Sequence, residues 1–122
     1  MTNEEEKLLL KDLAARVPYG VMVEQTLYPT IADKDQRLKS VQANNCVKLY
    51  WNKYNLDDFV PIDCIKPYLR PIHKLTKEEL EELEFLTDSD YVDYCNEHHI
   101  DYRNLIPKGL ALEAPEGMYK TE

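Results

Sequence analysis

The sequence predicts an α+β fold with an N-terminal helix, a small antiparallel sheet or SH3-like barrel over about residues 20–65, and two or three short C-terminal helices. Three observations support this prediction. Apolar residues recur at helical spacing near the N-terminus, short β-favouring runs alternate with polar turns in the middle, and two helix-capping sequences follow a proline-rich segment. Because 122 residues is a usual length for one domain, we expect residues 1–122 to form a single domain.

The first helix is predicted within the first 18 residues. Thr2 with Glu5, or Asn3 with Glu6, has the spacing of a capping box. An apolar stripe at helical spacing follows, formed by Leu9, Leu10, Leu13, Ala14 and Val17. The helix should end at Pro18 to Gly20, since proline disfavours helix in the residue before it and glycine permits a tight turn.

Residues 19–72 are predicted to form the sheet. Apolar and polar residues alternate from Val21 to Leu27, which is the period-two pattern of a half-buried strand. Leu38 and Val41 indicate a short strand in an otherwise polar stretch, and β-favouring residues return from Cys46 to Trp51.

Prolines mark the end of the predicted sheet. The apolar run from Phe59 to Ile65 contains Pro61, which favours an edge strand. Further prolines in the segment Lys66–Pro71 favour an extended conformation. We therefore expect this segment to be a stiff connector between the sheet and the helices.

Residues 73–106 are predicted to be helical. Thr76 with Glu79 matches a capping box and begins a short glutamate-rich helix. Thr87 or Ser89 provides the cap of a second helix that runs to about residue 99, before a last turn over residues 101–106. We expect the remaining residues, 107–122, to form a loose tail.

Charged residues are distributed unevenly along the chain, whose net charge is −8. Between Lys34 and Lys77 there are nine lysines or arginines and four aspartates, whereas the remaining residues include six basic and nineteen acidic ones. The predicted sheet is therefore basic and the predicted helices are acidic. Aromatic residues lie among the cations, and together they form the predicted binding face: Lys48, Tyr50, Trp51, Lys53, Tyr54, Lys66, Tyr68 and Arg70.

Two functions are consistent with this face. Tyrosine and tryptophan are enriched at protein interfaces, which predicts a non-enzymatic protein-interaction or structural module with an unknown protein partner. The alternative is a small nucleic-acid-binding barrel, in which aromatic rings stack on bases and cations contact phosphates. The net charge of −8 opposes this alternative because it repels a polyanion at long range. The same aromatic residues are equally suited to a core, and the acidic helices to pairing with the basic sheet within one molecule.

No pattern in the sequence predicts catalysis or a cofactor. Cys64 with His73, and Cys95 with His99, are cysteine–histidine pairs outside any catalytic signature. Three glycines in the whole chain do not form a phosphate-binding loop. The best metal candidate is the group Asp93, Cys95, Glu97, His98 and His99. A structural zinc site needs four ligands and the sequence has no second cluster of cysteine or histidine, so we expect no metal site.

The sequence also predicts a cytoplasmic protein without disulfides. No apolar run approaches the roughly 18 to 20 residues of a membrane span. The acidic start of the chain does not resemble an export signal. The three cysteines, Cys46, Cys64 and Cys95, are odd in number and widely spaced, so we expect them to be reduced.

Several segments are similar to a group of short uncharacterised proteins from gut Bacteroides and their prophage-like elements. The similarity is carried by Ile62–Pro71 followed by Thr76–Glu79, by His99–Ile106 with Gly109–Pro115, and by the opening Leu8–Leu13 and Pro18–Val21. These segments amount to about a third of the chain, and the resemblance as a whole extends over about half of it. The resemblance implies a bacterial cytoplasmic or mobile-element setting, and it assigns no activity and no functional residue.

Overall fold

The computed structural model describes residues 2–25, 36–42, 45–51 and 56–119, with the backbone alone at 51 and 56–58. Within these residues the protein is α+β, as the sequence predicts, with an N-terminal helix, two small sheets and two further α-helices. Three of the four strand pairings described are antiparallel, and the described strands do not close into a barrel. No helix in this part of the chain is long and apolar enough to cross a membrane.

The elements follow one another in the order helix, strands, helices and a final short strand. They are α1 (Asn3–Arg16), β1 (Val23–Gln25), β2 (Gln36–Val41), β3 (Cys46–Trp51), β4 (Leu56–Pro61), β5 (Ile65–Leu69), α2 (Lys77–Glu84), α3 (Asp88–Glu97) and β6 (Leu112–Glu113). Short 3-10 turns span Val17–Tyr19, Ile62–Cys64 and Ile72–Lys74.

Helix α1 begins at one of the two predicted capping boxes. The Thr2 hydroxyl accepts the Glu5 N–H at 3.0 Å, and the Glu5 carboxylate accepts the Thr2 N–H at 2.8 Å. The helix passes into a 3-10 turn and ends at Gly20, as predicted. The φ of Gly20 is +66°, a left-handed conformation that glycine adopts without steric cost.

The first sheet is an antiparallel meander of β2, β3 and β4. Val47 and Leu49 of β3 and Leu38 of β2 are buried, while residues between them face outward. Pro61 ends β4, which is an edge strand among the described strands of this sheet, as predicted. The apolar run predicted around Pro61 does not form one strand, because a 3-10 turn separates β4 from β5.

The second sheet is built around β5, which pairs antiparallel with β1 and parallel with β6. The segment Lys66–Pro71 therefore contains most of a central strand, where the sequence predicts a connector. Pro67 is compatible with this position. Its neighbour Tyr68 donates its N–H to the Met22 carbonyl at 2.8 Å, and consecutive residues of a strand face opposite sides. The nitrogen of Pro67 thus faces away from β1 and costs no bond to that strand.

The two sheets meet at the start of β1. Met22 forms an isolated bridge with Arg37, and Leu38 donates its N–H to the Val21 carbonyl at 3.0 Å. Helix α1 packs on the same core as both sheets, through the completely buried Leu9 and Leu13. The order of neighbouring strands is therefore β6, β5, β1, β2, β3, β4.

The C-terminal segment is packed as far as residue 119, in contrast to the predicted loose tail. Leu110 and Ala111 are buried in the main core, and β6 adds to the second sheet. The Tyr119 hydroxyl accepts the Met22 N–H at 2.8 Å and donates to the Tyr68 carbonyl at 2.7 Å. The Tyr119 side chain therefore joins β5 to the residue that precedes β1. These hydrogen bonds anchor the C-terminal segment, which has no apolar periodicity of its own.

The helical part begins as predicted. Helix α2 starts at the capping box of Thr76 with Glu79, and α3 starts at Thr87, whose hydroxyl accepts the Asp90 N–H at 3.3 Å. Helices α2 and α3 contribute to a second, smaller core formed by Leu75, Leu83, Cys95 and Ile100. Asp101 then closes the last turn, since its two carboxylate oxygens accept backbone N–H groups at 2.8 Å and 3.0 Å.

A buried ionic cluster of Asp12, Arg16 and Arg103 joins α1 to the helical part. Asp12 and Arg16 are both completely buried and lie 2.8 Å apart. Arg16 donates to the carbonyls of Ile100 at 2.7 Å and Cys95 at 3.4 Å, and Arg103 donates to Asp12 at 3.1 Å. Every charge in this cluster therefore has an opposite charge or a carbonyl as a partner.

Candidate binding face

The solvent side of the first sheet carries cations and aromatic rings. Strand alternation places Leu38, Val47, Leu49 and Val60 in the core, so the residues between them face outward. We call the outward set of described side chains the basic aromatic face: Arg37, Lys39, Lys48, Tyr50 and Phe59. A bulge between Leu38 and Ser40 accompanies the exposure of Lys39.

Two cation–aromatic contacts cross the strands of this face. Arg37 is the register partner of Tyr50, and its guanidinium carbon lies 5.2 Å from the centroid of the Tyr50 ring. Lys48 is the register partner of Phe59, and its Nζ lies 5.7 Å from the centroid of the Phe59 ring. Each contact at an exposed site is worth about 0.5–1 kcal/mol, so the pairs orient the side chains more than they stabilise the fold.

The structure places the predicted binding residues in different surroundings. Lys48 and Tyr50 belong to the basic aromatic face, whereas Lys66, Tyr68 and Arg70 lie on or next to β5 in the other sheet. Lys66 is exposed. Lys53, Tyr54 and the side chain of Trp51 lie outside what the structure describes.

Tyr68 and Arg70 take part in internal contacts. Tyr68 is 6% exposed and its hydroxyl donates to Glu24 at 3.0 Å. Burial, with the hydrogen bond to Glu24, raises the pKa of Tyr68 to about 12. Arg70 pairs with Glu79 at 2.7 Å and donates to the His98 carbonyl at 3.3 Å. Both side chains therefore connect elements of the fold.

Sequence reasoning left Arg37, Lys39 and Phe59 out of the predicted face. Each lies at an outward position of its strand, and the period-two pattern was the available signal. For Phe59 that signal is weak, because the neighbouring Val60 is also apolar. Which of two adjacent apolar residues faces the core depends on strand register, and the structure alone supplies it.

A second exposed aromatic side chain lies far along the chain from this face. Phe85, at the end of α2, is 86% exposed. Its helix is rich in glutamate, so the surroundings are acidic rather than basic. Phe85 is thus a useful comparison for Phe59, with the opposite local charge.

The cysteine–histidine candidates of the helical part do not form a nucleophile in this structure. Cys95 is completely buried, and burial raises the pKa of its thiol. Burial also lowers the pKa of His99 to about 4. At neutral pH the pair is therefore a thiol and a neutral imidazole. Among the described residues, no group of three or more histidine, cysteine, aspartate or glutamate side chains is placed to hold a metal ion.

No protein-family model, curated protein or solved structure matches this chain. The similarity to gut Bacteroides proteins therefore stays a prediction. Strand register brings the cations and aromatic rings of the basic aromatic face together on one surface.

Proposed function

We propose that this protein is a non-enzymatic protein-interaction module that binds an acidic segment of a partner protein through its basic aromatic face. One observation carries the proposal: two cation–aromatic pairs lie side by side on the solvent side of an antiparallel sheet. Phe59 is 55% exposed, and aromatic residues and arginine are enriched in protein interfaces. The cations favour a partner that is rich in carboxylates.

We also propose that the strands form an open, SH3-like arrangement. The neighbour order β5, β1, β2, β3, β4 supports this, since five consecutive neighbouring strands, paired antiparallel, can curl into a small, partly open barrel. Folds of this kind serve many functions, so the proposal about binding depends on the side chains and not on the fold.

The cellular setting is proposed on the resemblance alone. We propose a bacterial cytoplasmic protein of mobile-element origin, because the segments Ile62–Pro71 and Gly109–Pro115 are similar to proteins of gut Bacteroides and their prophage-like elements. A lysate of such a bacterium is therefore the source in which a partner should be sought.

The proposal is tested by capturing partners from that lysate on the tagged protein, before and after nuclease treatment. The test variant combines Lys48→Glu with Phe59→Ala, which reverses one charge and removes one ring from the face. We expect the wild type to retain a stoichiometric protein after nuclease treatment and the variant to lose it. Purified partner should then bind the wild type at least about tenfold more tightly than the variant, which corresponds to about 1.4 kcal/mol.

A matched control variant combines Lys7→Glu with Phe85→Ala. It makes the same two chemical changes at an exposed lysine of α1 and at the exposed ring that follows α2. The control should bind like the wild type. Loss of the partner in the control, with retention in the test variant, would move the binding surface to the acidic helices and contradict the proposal.

A nucleic-acid ligand is the second candidate function, because cations alternating with aromatic rings on an open sheet also suit single-stranded nucleic acid. Nuclease treatment separates the two candidates, because both ligands are anionic and salt weakens the binding of either one. Nucleic-acid binding weakens steeply as salt concentration rises, since counterions are released from phosphates. Recovery of nuclease-sensitive material that is lost in the Lys48→Glu, Phe59→Ala variant would favour this second function over the first.

A further inference from the structure

A surface cleft of about 340 Å³ lies at one end of the basic aromatic face. Arg37 belongs to both, because it contacts the Tyr50 ring and also lines the cleft. Gly20 forms the neighbouring wall, and a Cβ at that position would lie 3.2 Å from Arg37 Cδ. The turn after α1 therefore leaves just enough room for the arginine to lie between the face and the cleft.

Aromatic and thioether side chains form part of the cleft, and the rest is formed by Gly20 and the polar side chains of Arg37, Glu97 and His98. The aromatic and thioether side chains are those of Tyr19, Met22, His99, Met118 and Tyr119. Tyr119 stacks on His99 with ring centroids 3.9 Å apart, so these two rings of the lining are nearly parallel. Methionine sulfur and aromatic rings both make favourable contacts with a further ring. A planar ring is thus the occupant that this lining fits.

Polar groups of the cleft could orient a ring that binds there. Arg37 offers a cation at one side, and Glu97 offers a carboxylate that accepts a hydrogen bond. His99 is 7% exposed, and its Nδ1 has no hydrogen-bond partner among the residues that the structure describes. Its left-handed φ of +59° belongs to the C-terminal end of α3, where this conformation is common. The buried Nδ1 is a polar atom that a ligand in the cleft could pair with.

We infer that this cleft binds an aromatic side chain of the acidic partner segment, with a carboxylate next to that ring paired to Arg37. Tryptophan and tyrosine fit best, since a ring N–H or O–H has Glu97 as an acceptor. The inference rests on the proposed function, because the cleft continues the basic aromatic face through Arg37. It adds the chemistry of the partner: an aromatic residue flanked by aspartate or glutamate.

The test uses two fluorescein-labelled peptides of aspartate and glutamate, one with a central tryptophan and one with alanine in its place. Binding is measured by fluorescence anisotropy with the wild type, with Tyr19→Ala and with Phe85→Ala. Tyr19 and Phe85 are both exposed aromatic residues, and the cleft includes only the first. We expect the tryptophan peptide to bind the wild type about tenfold more tightly than the alanine peptide, and Tyr19→Ala alone to abolish the difference.

Nuclear magnetic resonance provides a readout that does not depend on affinity. The His99 ring and the Gly20 amide should shift with the tryptophan peptide and not with the alanine peptide. Equal binding of both peptides, weakened by Lys48→Glu, would overturn the cleft as a ring site and leave the proposed function in place. Binding of a thymidine oligonucleotide with no binding of either peptide would overturn both.

Discussion

Cations lie next to aromatic rings in two regions of this protein, the ionic cluster in the interior and the basic aromatic face on the surface. In the ionic cluster, the completely buried Arg16 and the partly exposed Arg103 lie 5.5 Å and 4.8 Å from the centroid of the Tyr102 ring. The two contacts on the surface are similar, at 5.2 Å and 5.7 Å. The contacts themselves therefore do not distinguish the two regions.

Burial distinguishes them. Arg16 is completely buried and its donors are paired with Asp12 and with two backbone carbonyls, so removing a partner leaves a charge in the interior. Phe59 is 55% exposed, so removing its ring leaves no cavity. A cation–aromatic contact therefore helps to stabilise the fold where its cation is buried, and it is suited to recognition where its ring is exposed.

The largest effect is expected from Asp12→Ala in the ionic cluster. This change leaves Arg16 and Arg103 without their shared carboxylate, and breaking a buried pair in this way costs about 3–5 kcal/mol. Urea unfolding at neutral pH should show this loss in the free energy of unfolding. Glu4→Ala, at an exposed position of the same helix, is the control and should change stability by less than about 0.5 kcal/mol. A loss as small as that of the control would show that the cluster does not hold the two parts together.

The next effect concerns the pH dependence of stability. Burial, with the nearby charge of Arg16, lowers the pKa of His99 to about 4 from a usual 6.5. The unfolded chain therefore takes up a proton first, and His99 contributes stability that is fully present above about pH 6.5 and is lost as the pH falls to about 4. The loss amounts to roughly 3 kcal/mol at most.

Comparison with His99→Asn isolates this contribution, because asparagine tolerates the left-handed φ and does not titrate. Unfolding free energies of both proteins should be measured from pH 7 to pH 4. We expect the difference between the wild type and the variant to shrink as the pH falls. Parallel curves over that range would contradict a buried neutral His99.

A smaller effect is expected from Tyr119→Phe, which removes only the hydroxyl that joins β5 to the residue preceding β1. The Met22 N–H and the Tyr68 carbonyl then lose a hydrogen-bond partner, at a cost of about 1–3 kcal/mol. Amide hydrogen exchange at Met22 should become faster than in the wild type. Unchanged exchange and unchanged stability would mean that the Tyr119 hydroxyl contributes nothing to the sheet.

Local signals in the sequence predict much of the fold. The capping boxes at Thr2 and Thr76, the turn at Gly20 and the strand from Cys46 to Trp51 all depend on residues near one another in the chain. What the sequence does not predict depends on distant partners. The prolines of the segment Lys66–Pro71 predict a connector. Its pairing with β1 and β6, which makes it a central strand, depends on residues far away in the sequence.

The same limit applies to the ionic cluster and to the basic aromatic face. Asp12 and Arg16 have the i, i+4 spacing of an ion pair within a helix, which the sequence shows, but their burial depends on the distant Ile100 and Arg103. Lys48 and Tyr50 could be chosen from the sequence because they alternate on one strand. Arg37 could be chosen on the same ground, whereas Phe59 could not, since the register that decides whether Phe59 or Val60 faces the core is set by tertiary contacts.

The most direct test of the central claim measures stability and binding together for the Lys48→Glu, Phe59→Ala variant. We expect the free energy of unfolding to stay within about 1 kcal/mol of the wild type, since both side chains are on the solvent side of the sheet, while the captured protein partner is lost. Retention of the partner by a stably folded variant would contradict the claim that the basic aromatic face is the binding surface.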